Sequence, residues 1–139
     1  MRFMVIVKGG EDYEGGAMPS EAELAEMGKF NQELADAGAM LAGEGLHPSS
    51  KGVRINYDGD EPTVTDGPFG NAADLVAGFW LIQVESKEAA VDWLKRAPFG
   101  GDSEVEIRPI FEAEDFGTEL TPELRAREER LRARLESTH

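Results

Sequence analysis

Phe3, Val5 and Val7 alternate with Met4 and Ile6, so the segment 2–8 reads as a strand that is apolar on both faces. Lys8-Gly9-Gly10 ends it, and an acidic, glycine-rich loop is expected up to Pro19. Ser20-Glu21-Ala22-Glu23 has the form of a capping box, in which the Ser20 hydroxyl and the Glu23 carboxylate satisfy orphan N–H groups. Met27, Phe30, Leu34 and Ala37 then recur at helical spacing, and Gly38 is a natural residue just past the helix end. Residues 39–46 form a weaker strand pattern, interrupted by Gly43 and Gly45, which points to a bulge or a close backbone approach.

Val53, Ile55 and Tyr57 alternate with polar residues, and Asp58-Gly59 is a two-residue hairpin signal ahead of Thr63-Val64-Thr65. The segment 78–84 is a second strand apolar on both faces, through Phe79, Trp80, Leu81 and Ile82. Ser86 caps a second helix with Ala89, Ala90, Trp93, Leu94 and Ala97 on its buried face, and Pro98 stops it. In 104–111, Val105 and Ile107 alternate with Glu104, Glu106 and Arg108, and Pro109 marks a free strand edge. Thr121-Pro122 opens a last helix, with Leu124, Leu131 and Leu135 as a thin apolar line. Glu123–Arg127 and Glu128–Arg132 are candidate i,i+4 pairs on it, worth about 0.2–0.5 kcal/mol each.

The order is strand, helix, strands, helix, strand and tail helix. Two helices crossing over an antiparallel sheet predict an α+β fold, a ferredoxin-like unit with an extra β-hairpin and a C-terminal helix. Residues 1–118 form the expected domain and 119–139 a helical tail. Both crossover helices are expected on one sheet face. The two-sided strands then leave bulky apolar side chains on the other face, an exposed patch that a soluble monomer rarely carries. A second copy is the expected cover, so the predicted assembly is a homodimer, a dimeric α+β barrel closed sheet to sheet.

Composition narrows the function classes. The 139 residues suit one domain with its own core, and no cysteine is present, which excludes disulfides, thiol catalysis and thiolate metal sites. The N-terminal apolar run is too short for a membrane span and lacks a following small-residue cleavage site. The expected location is the cytoplasm, with no membrane partner. The net charge is −14, and residues 1–118 carry all of it, nine Lys and Arg against 23 Asp and Glu. The tail is balanced, five against five. So acidic a body repels phosphate backbones and argues against a nucleic-acid partner.

Gly43-Glu44-Gly45-Leu46-His47-Pro48, Thr65-Asp66-Gly67-Pro68-Phe69, Ala77-Gly78-Phe79-Trp80 and Glu104-Val105-Glu106-Ile107-Arg108-Pro109 resemble the YCII-related proteins, in particular their DGPF-domain branch. Phe111-Glu112-Ala113-Glu114-Asp115-Phe116-Gly117 and Leu120-Thr121-Pro122-Glu123-Leu124 extend the likeness over nearly the whole chain. The resemblance implies a dimeric α+β barrel. It also implies a regulatory or stress setting, because many DGPF proteins are encoded beside extracytoplasmic-function sigma factors, and hence a sigma-factor-pathway protein as partner. A related branch includes a dehydrochlorinase of a hydroxylated aromatic, with a His/Asp pair as its proposed acid–base machinery. That branch carries the histidine on its first helix, where residues 21–37 here hold none. Asp66 carries over by motif and the helix histidine does not. Many DGPF relatives continue with an acidic-Thr-Lys segment, where this chain has Gly70-Asn71-Ala72-Ala73-Asp74.

The residues themselves offer one acid–base pair. A histidine side chain can shuttle a proton and a carboxylate can fix its tautomer, and His47 and Asp66 both follow predicted strands, at ends that can share a rim. The plainer reading makes His47 a polar loop residue and Asp66 an Asx-turn former before Gly67-Pro68. Glu44, His47 and Asp66 match no tight metal-ligand spacing, so no metal is expected, and no cofactor motif is present. Phe69 is a candidate pocket residue or a turn anchor. Phe79 and Trp80, adjacent in a strand, are expected to fill two opposite cores, and Tyr57 is a further candidate for an apolar cleft. Arg54 and Arg108 can grip a ligand carboxylate, or pair with neighbouring Glu and Asp. Gly9-Gly10 and Gly15-Gly16 enclose Glu11, Asp12 and Glu14, which repel an anion and make a mobile loop or lid the better reading than a phosphate loop. Two functions remain: a small-ligand or partner-binding accessory protein docking through its tail helix, or a cofactor-independent lyase or isomerase using His47 and Asp66 on a hydroxylated or carbonyl-bearing ring.

Overall fold

A computed structural model describes residues 1–138. His139, expected from the sequence to be a disordered terminal residue, lies outside the described residues. The chain divides into two compact units, one ending at Pro109 and one beginning at Ile110.

The first unit is built on a four-stranded antiparallel sheet in the order β2-β5-β1-β6, with β1 Arg2–Lys8, β2 Met40–Gly45, β5 Val76–Gln83 and β6 Val105–Pro109. The two central strands, β1 and β5, are the two runs that are apolar on both faces. β6 lies at an edge, where the missing N–H of Pro109 does no harm. Register places Phe3 opposite Ile82 and Val5 opposite Trp80, so these four side chains share one face. Helices α2 Glu21–Asp36 and α3 Lys87–Leu94 both pack there: Phe30, Leu34, Ala90 and Leu94 join the four strand residues and Ala39 in one buried cluster.

The opposite face carries Met4, Ile6, Phe79 and Leu81, half-buried among their neighbours in the sheet. As expected, the long helices of this unit leave it alone. The sheet is open, with free edges at β2 and β6, and is not closed into a barrel within one chain.

Local signals place the ends of the helices. Ser20 and Glu23 form both bonds of the capping box. Gly38 has φ +73, and the Gly38 N–H to Ala35 and Ala39 N–H to Leu34 bonds complete a Schellman turn. Ser86 caps α3 through the Ala89 N–H. The loop expected at 9–19 instead contains a one-turn helix, α1 Glu11–Glu14.

A separate two-stranded sheet pairs β3 Val53–Asn56 with β4 Thr63–Asp66. Its connection runs from Tyr57 to Pro62, longer than the two-residue turn expected at Asp58-Gly59. Pro62 cannot donate to the ladder, so pairing stops at Thr63, and Gly59 supplies a left-handed residue (φ +71) in the middle of the loop.

In the second unit a 3-10 segment, Ala113–Glu119, precedes α4 Pro122–Ser137. Thr121 caps α4 through the Leu124 N–H. The expected pairs Glu123–Arg127 and Glu128–Arg132 are not formed among the described residues. Arg125 pairs instead, at 3.6 Å with Glu129 one turn further along α4 and at 3.1 Å with Glu114 of the preceding 3-10 segment. Phe111 stacks on Phe116 at 5.0 Å, and no residue of α4 is buried. No helix among the described residues is long and apolar enough to cross a membrane.

Candidate functional site

Three glycines on the helix side of the sheet help to form a concavity in the first unit. Register sets Gly43 opposite Trp80 and Gly45 opposite Gly78, so two neighbouring rungs lack side chains on one or both strands. A Cβ on Gly43 would sit 2.8 Å from the Trp80 ring and 2.7 Å from Met40 Cε, which is why the indole can lie across the strand there. Trp80 then meets Phe30 edge-on at 5.7 Å and Phe99 edge-on at 6.0 Å. The result is a cleft of about 220 Å³ whose walls include Val7, Met27, Phe79, Trp80 and Phe99.

The polar part of the cleft comes from α2. Met27 and Asn31, four residues apart, flank the buried Phe30–Leu34 stripe and reach the cleft together. The Trp80 indole Nε1–H donates to Asn31 Oδ1 at 2.8 Å. Glu44 also lines the cleft, and no lysine or arginine does. The sequence reading assigned Phe79 and Trp80 to separate cores. Trp80 is buried, as expected, yet both residues border this one cavity at the sheet's end.

A second constellation fastens the Asp66-Gly67-Pro68-Phe69 turn. The Ser49 N–H donates to Glu14 Oε2 at 2.9 Å and its hydroxyl donates to Glu14 Oε1. The same hydroxyl accepts the Phe69 N–H at 3.0 Å. The Gly67 N–H reaches the Gly52 carbonyl at 2.9 Å. Tyr13, beside Glu14, donates its hydroxyl to the Ala77 carbonyl at 3.2 Å, an acceptor it shares with the Leu46 N–H. Glycine-flanked residues 9–17, expected as a mobile lid, are therefore tied down by Tyr13 and Glu14, two side chains that sequence spacing did not connect to anything.

The residues singled out from the sequence are distributed as follows. His47 and Asp66 are both exposed, and among the described residues no hydrogen bond or ion pair joins them. Their segments nevertheless converge, since His47 is two residues before Ser49 and Asp66 precedes the Gly67 and Phe69 amides just described. Phe69 is a half-buried anchor of the turn, and the Arg54 guanidinium lies over its ring at 4.1 Å. Arg108 pairs with Glu106 at 3.8 Å on the face of Met4, away from the helices. None of the five lines the cleft. Among the described residues no three His, Asp or Glu side chains gather as they would around a metal ion.

The Tyr13 titration is displaced. Partial burial, then the Glu14 charge, raise the Tyr13 phenol above its ordinary value. The neutral hydroxyl is the form that donates to Ala77, so its hold on α1 is complete below about pH 10 and fades as pH rises through the higher folded value. Tyr57→Phe leaves Tyr13 as the lone tyrosine. Its tyrosinate absorbance is expected to appear with a midpoint above 10, and a midpoint at or below 10 would contradict the partial burial of the phenol beside Glu14.

No curated protein is similar enough to the chain to match it. The model of the YCII-related domain matches residues 1–114, which hold the whole sheet, both packed helices, the cleft and the Ser49 junction, and the chain belongs to that family.

Proposed function

We propose that this protein is a small-ligand-binding accessory protein of the DGPF-domain branch, a ferredoxin-like cytoplasmic homodimer serving a sigma-factor-linked pathway. The observation that carries the ligand-binding reading is the aromatic-walled cleft between α2, β2 and β5. The strand order β2-β5-β1-β6 with α2 and α3 on one face supports the ferredoxin-like description. Met4, Ile6, Phe79 and Leu81 on the face without helices favour a second copy as cover, with the two sheets completing a barrel. Asp66-Gly67-Pro68-Phe69 supports the branch assignment, and the sigma-factor link rests on the resemblance alone. Phe69 and Arg54 enter this reading as contacts near the Ser49 junction, outside the cleft, whereas Arg108, on the other face of the sheet, does not enter it. Leu124, Leu131 and Leu135, all exposed on α4, are the surface offered to a protein partner.

The convergence of the His47 and Asp66 segments at Ser49 favours one alternative, a cofactor-independent lyase or isomerase acting on a hydroxylated or carbonyl-bearing ring. Closure over a substrate would have to bring the imidazole within reach of the carboxylate or of one bridging water. Incubation with a panel of phenols and aryl ketones, followed by both ligand-detected NMR and product analysis, separates the two. Binding with every compound recovered unchanged is expected. Consumption of a panel member that stops in His47→Ala and in Asp66→Asn, with binding retained, would replace the accessory reading by the enzymatic one.

A further inference from the structure

The indole nitrogen of tryptophan carries a hydrogen and can only donate. The Asn31 atom facing Trp80 Nε1 at 2.8 Å must therefore be the carbonyl oxygen, and that contact fixes which way the amide is turned. Its NH₂ group points elsewhere and has no hydrogen-bond partner among the described residues, while Asn31 itself is half-buried in the cleft wall. A side chain of the cleft wall thus carries two unused donors, beside rings and a thioether. The cleft presents no cationic side chain, and Glu44 and a net charge of −14 oppose an anion. In size, about 220 Å³ exceeds the roughly 150 Å³ that holds benzene by enough for a short substituent.

We infer that the cleft selects an uncharged, single-ring molecule bearing a hydrogen-bond acceptor such as a carbonyl oxygen, and that Asn31 Nδ2 is the donor that reads it. This rests on the ligand-binding reading of the same cleft. Trp80 has two parts to play, as a ring wall and as the group that orients Asn31. Gly45 has open space where its Cβ would be, so a side chain there would occupy the cleft and not collide with its walls.

Acetophenone, ethylbenzene and benzoate make a probe set of similar shape: neutral with an acceptor, neutral without one, and anionic. Titrated into the whole protein and followed at the Trp80 indole N–H resonance by NMR, acetophenone is expected to bind about tenfold tighter than ethylbenzene, the worth of one hydrogen bond, and benzoate weakest. Asn31→Asp keeps an oxygen for Trp80 and removes both donors. It is expected to lose the preference for acetophenone and to bind phenol, a donor, better than the parent does. Gly45→Val, which leaves the Asn31–Trp80 pair untouched, is expected to abolish binding of all the probes. Equal affinity for acetophenone and ethylbenzene, or an acetophenone preference that survives Asn31→Asp, overturns the assignment to Asn31. If benzoate binds best and Gly45→Val removes it, the cleft remains a ligand site and the neutral-acceptor inference fails alone. If no probe moves the Trp80 resonance, the inference and the ligand-binding reading both fail.

Discussion

Phe3→Ala is expected to lower the free energy of unfolding by about 3–5 kcal/mol, the largest single loss in the molecule. Phe3 is 1 % exposed on a central strand, opposite Ile82 on one neighbour and Pro109 on the other. Truncation removes most of an aromatic side chain from a cluster of only nine buried residues, and the ring-sized void has β-sheet on one side and helices on the other. Domains of this size are stable by about 5–15 kcal/mol, so the variant should stand near its unfolding limit at moderate temperature. Urea denaturation followed by tryptophan fluorescence measures the loss. A change below about 1 kcal/mol would mean that the β1–β5 register described above is wrong, since no well-packed core tolerates that deletion so easily.

Gly67→Ala is expected to undo the Ser49 junction. The added Cβ would lie 1.8 Å from the Ser49 carbonyl oxygen and 2.7 Å from its carbon. Both are backbone atoms, so no rotamer change relieves the overlap and one of the two segments must move. Overpacking of this kind commonly destabilises by about 1–3 kcal/mol. The loss should stay local, because β3 and β4 form their own two-stranded sheet and contribute nothing to the buried cluster. Hydrogen exchange is the discriminating measurement. Protection of the Gly67 and Phe69 amides should fall sharply while that of β1 and β5 amides is kept. Unchanged protection at Phe69 would show that Ser49 does not hold this turn. Glu14→Gln, which keeps an acceptor for the Ser49 hydroxyl, should have a much smaller effect than Gly67→Ala.

The contrast between what could and could not be read from the chain follows sequence separation. Ser20 and Glu23, Gly38, Ser86 and Thr121 act on backbone groups within a few residues, so their roles were visible as spacing. The two-sided apolar runs were visible too, because continuous apolar sequence in a strand is the pattern of one covered on both faces. The bond from Ser49 to Glu14 spans 35 residues and that from Trp80 to Asn31 spans 49. Neither pair has a spacing signature, and each residue alone reads as an ordinary loop or helix position. Tyr57 to Pro62 shows the converse failure: Asp58-Gly59 is a strong local turn signal, but Pro62 withholds a ladder donor and the strands part earlier.

Local chemistry along the chain was enough to specify its three long helices, their N-caps, its two inner strands and a sheet face left without those of the first unit, because backbone hydrogen bonding and side-chain periodicity are short-range demands. The cleft is a different kind of object. It exists because Gly45 and Gly78 meet across two strands, Trp80 falls over Gly43, and α2 delivers Asn31 to the indole. An absent side chain becomes a space only when its neighbours in three dimensions leave that space unfilled, and long-range strand register settles which neighbours those are.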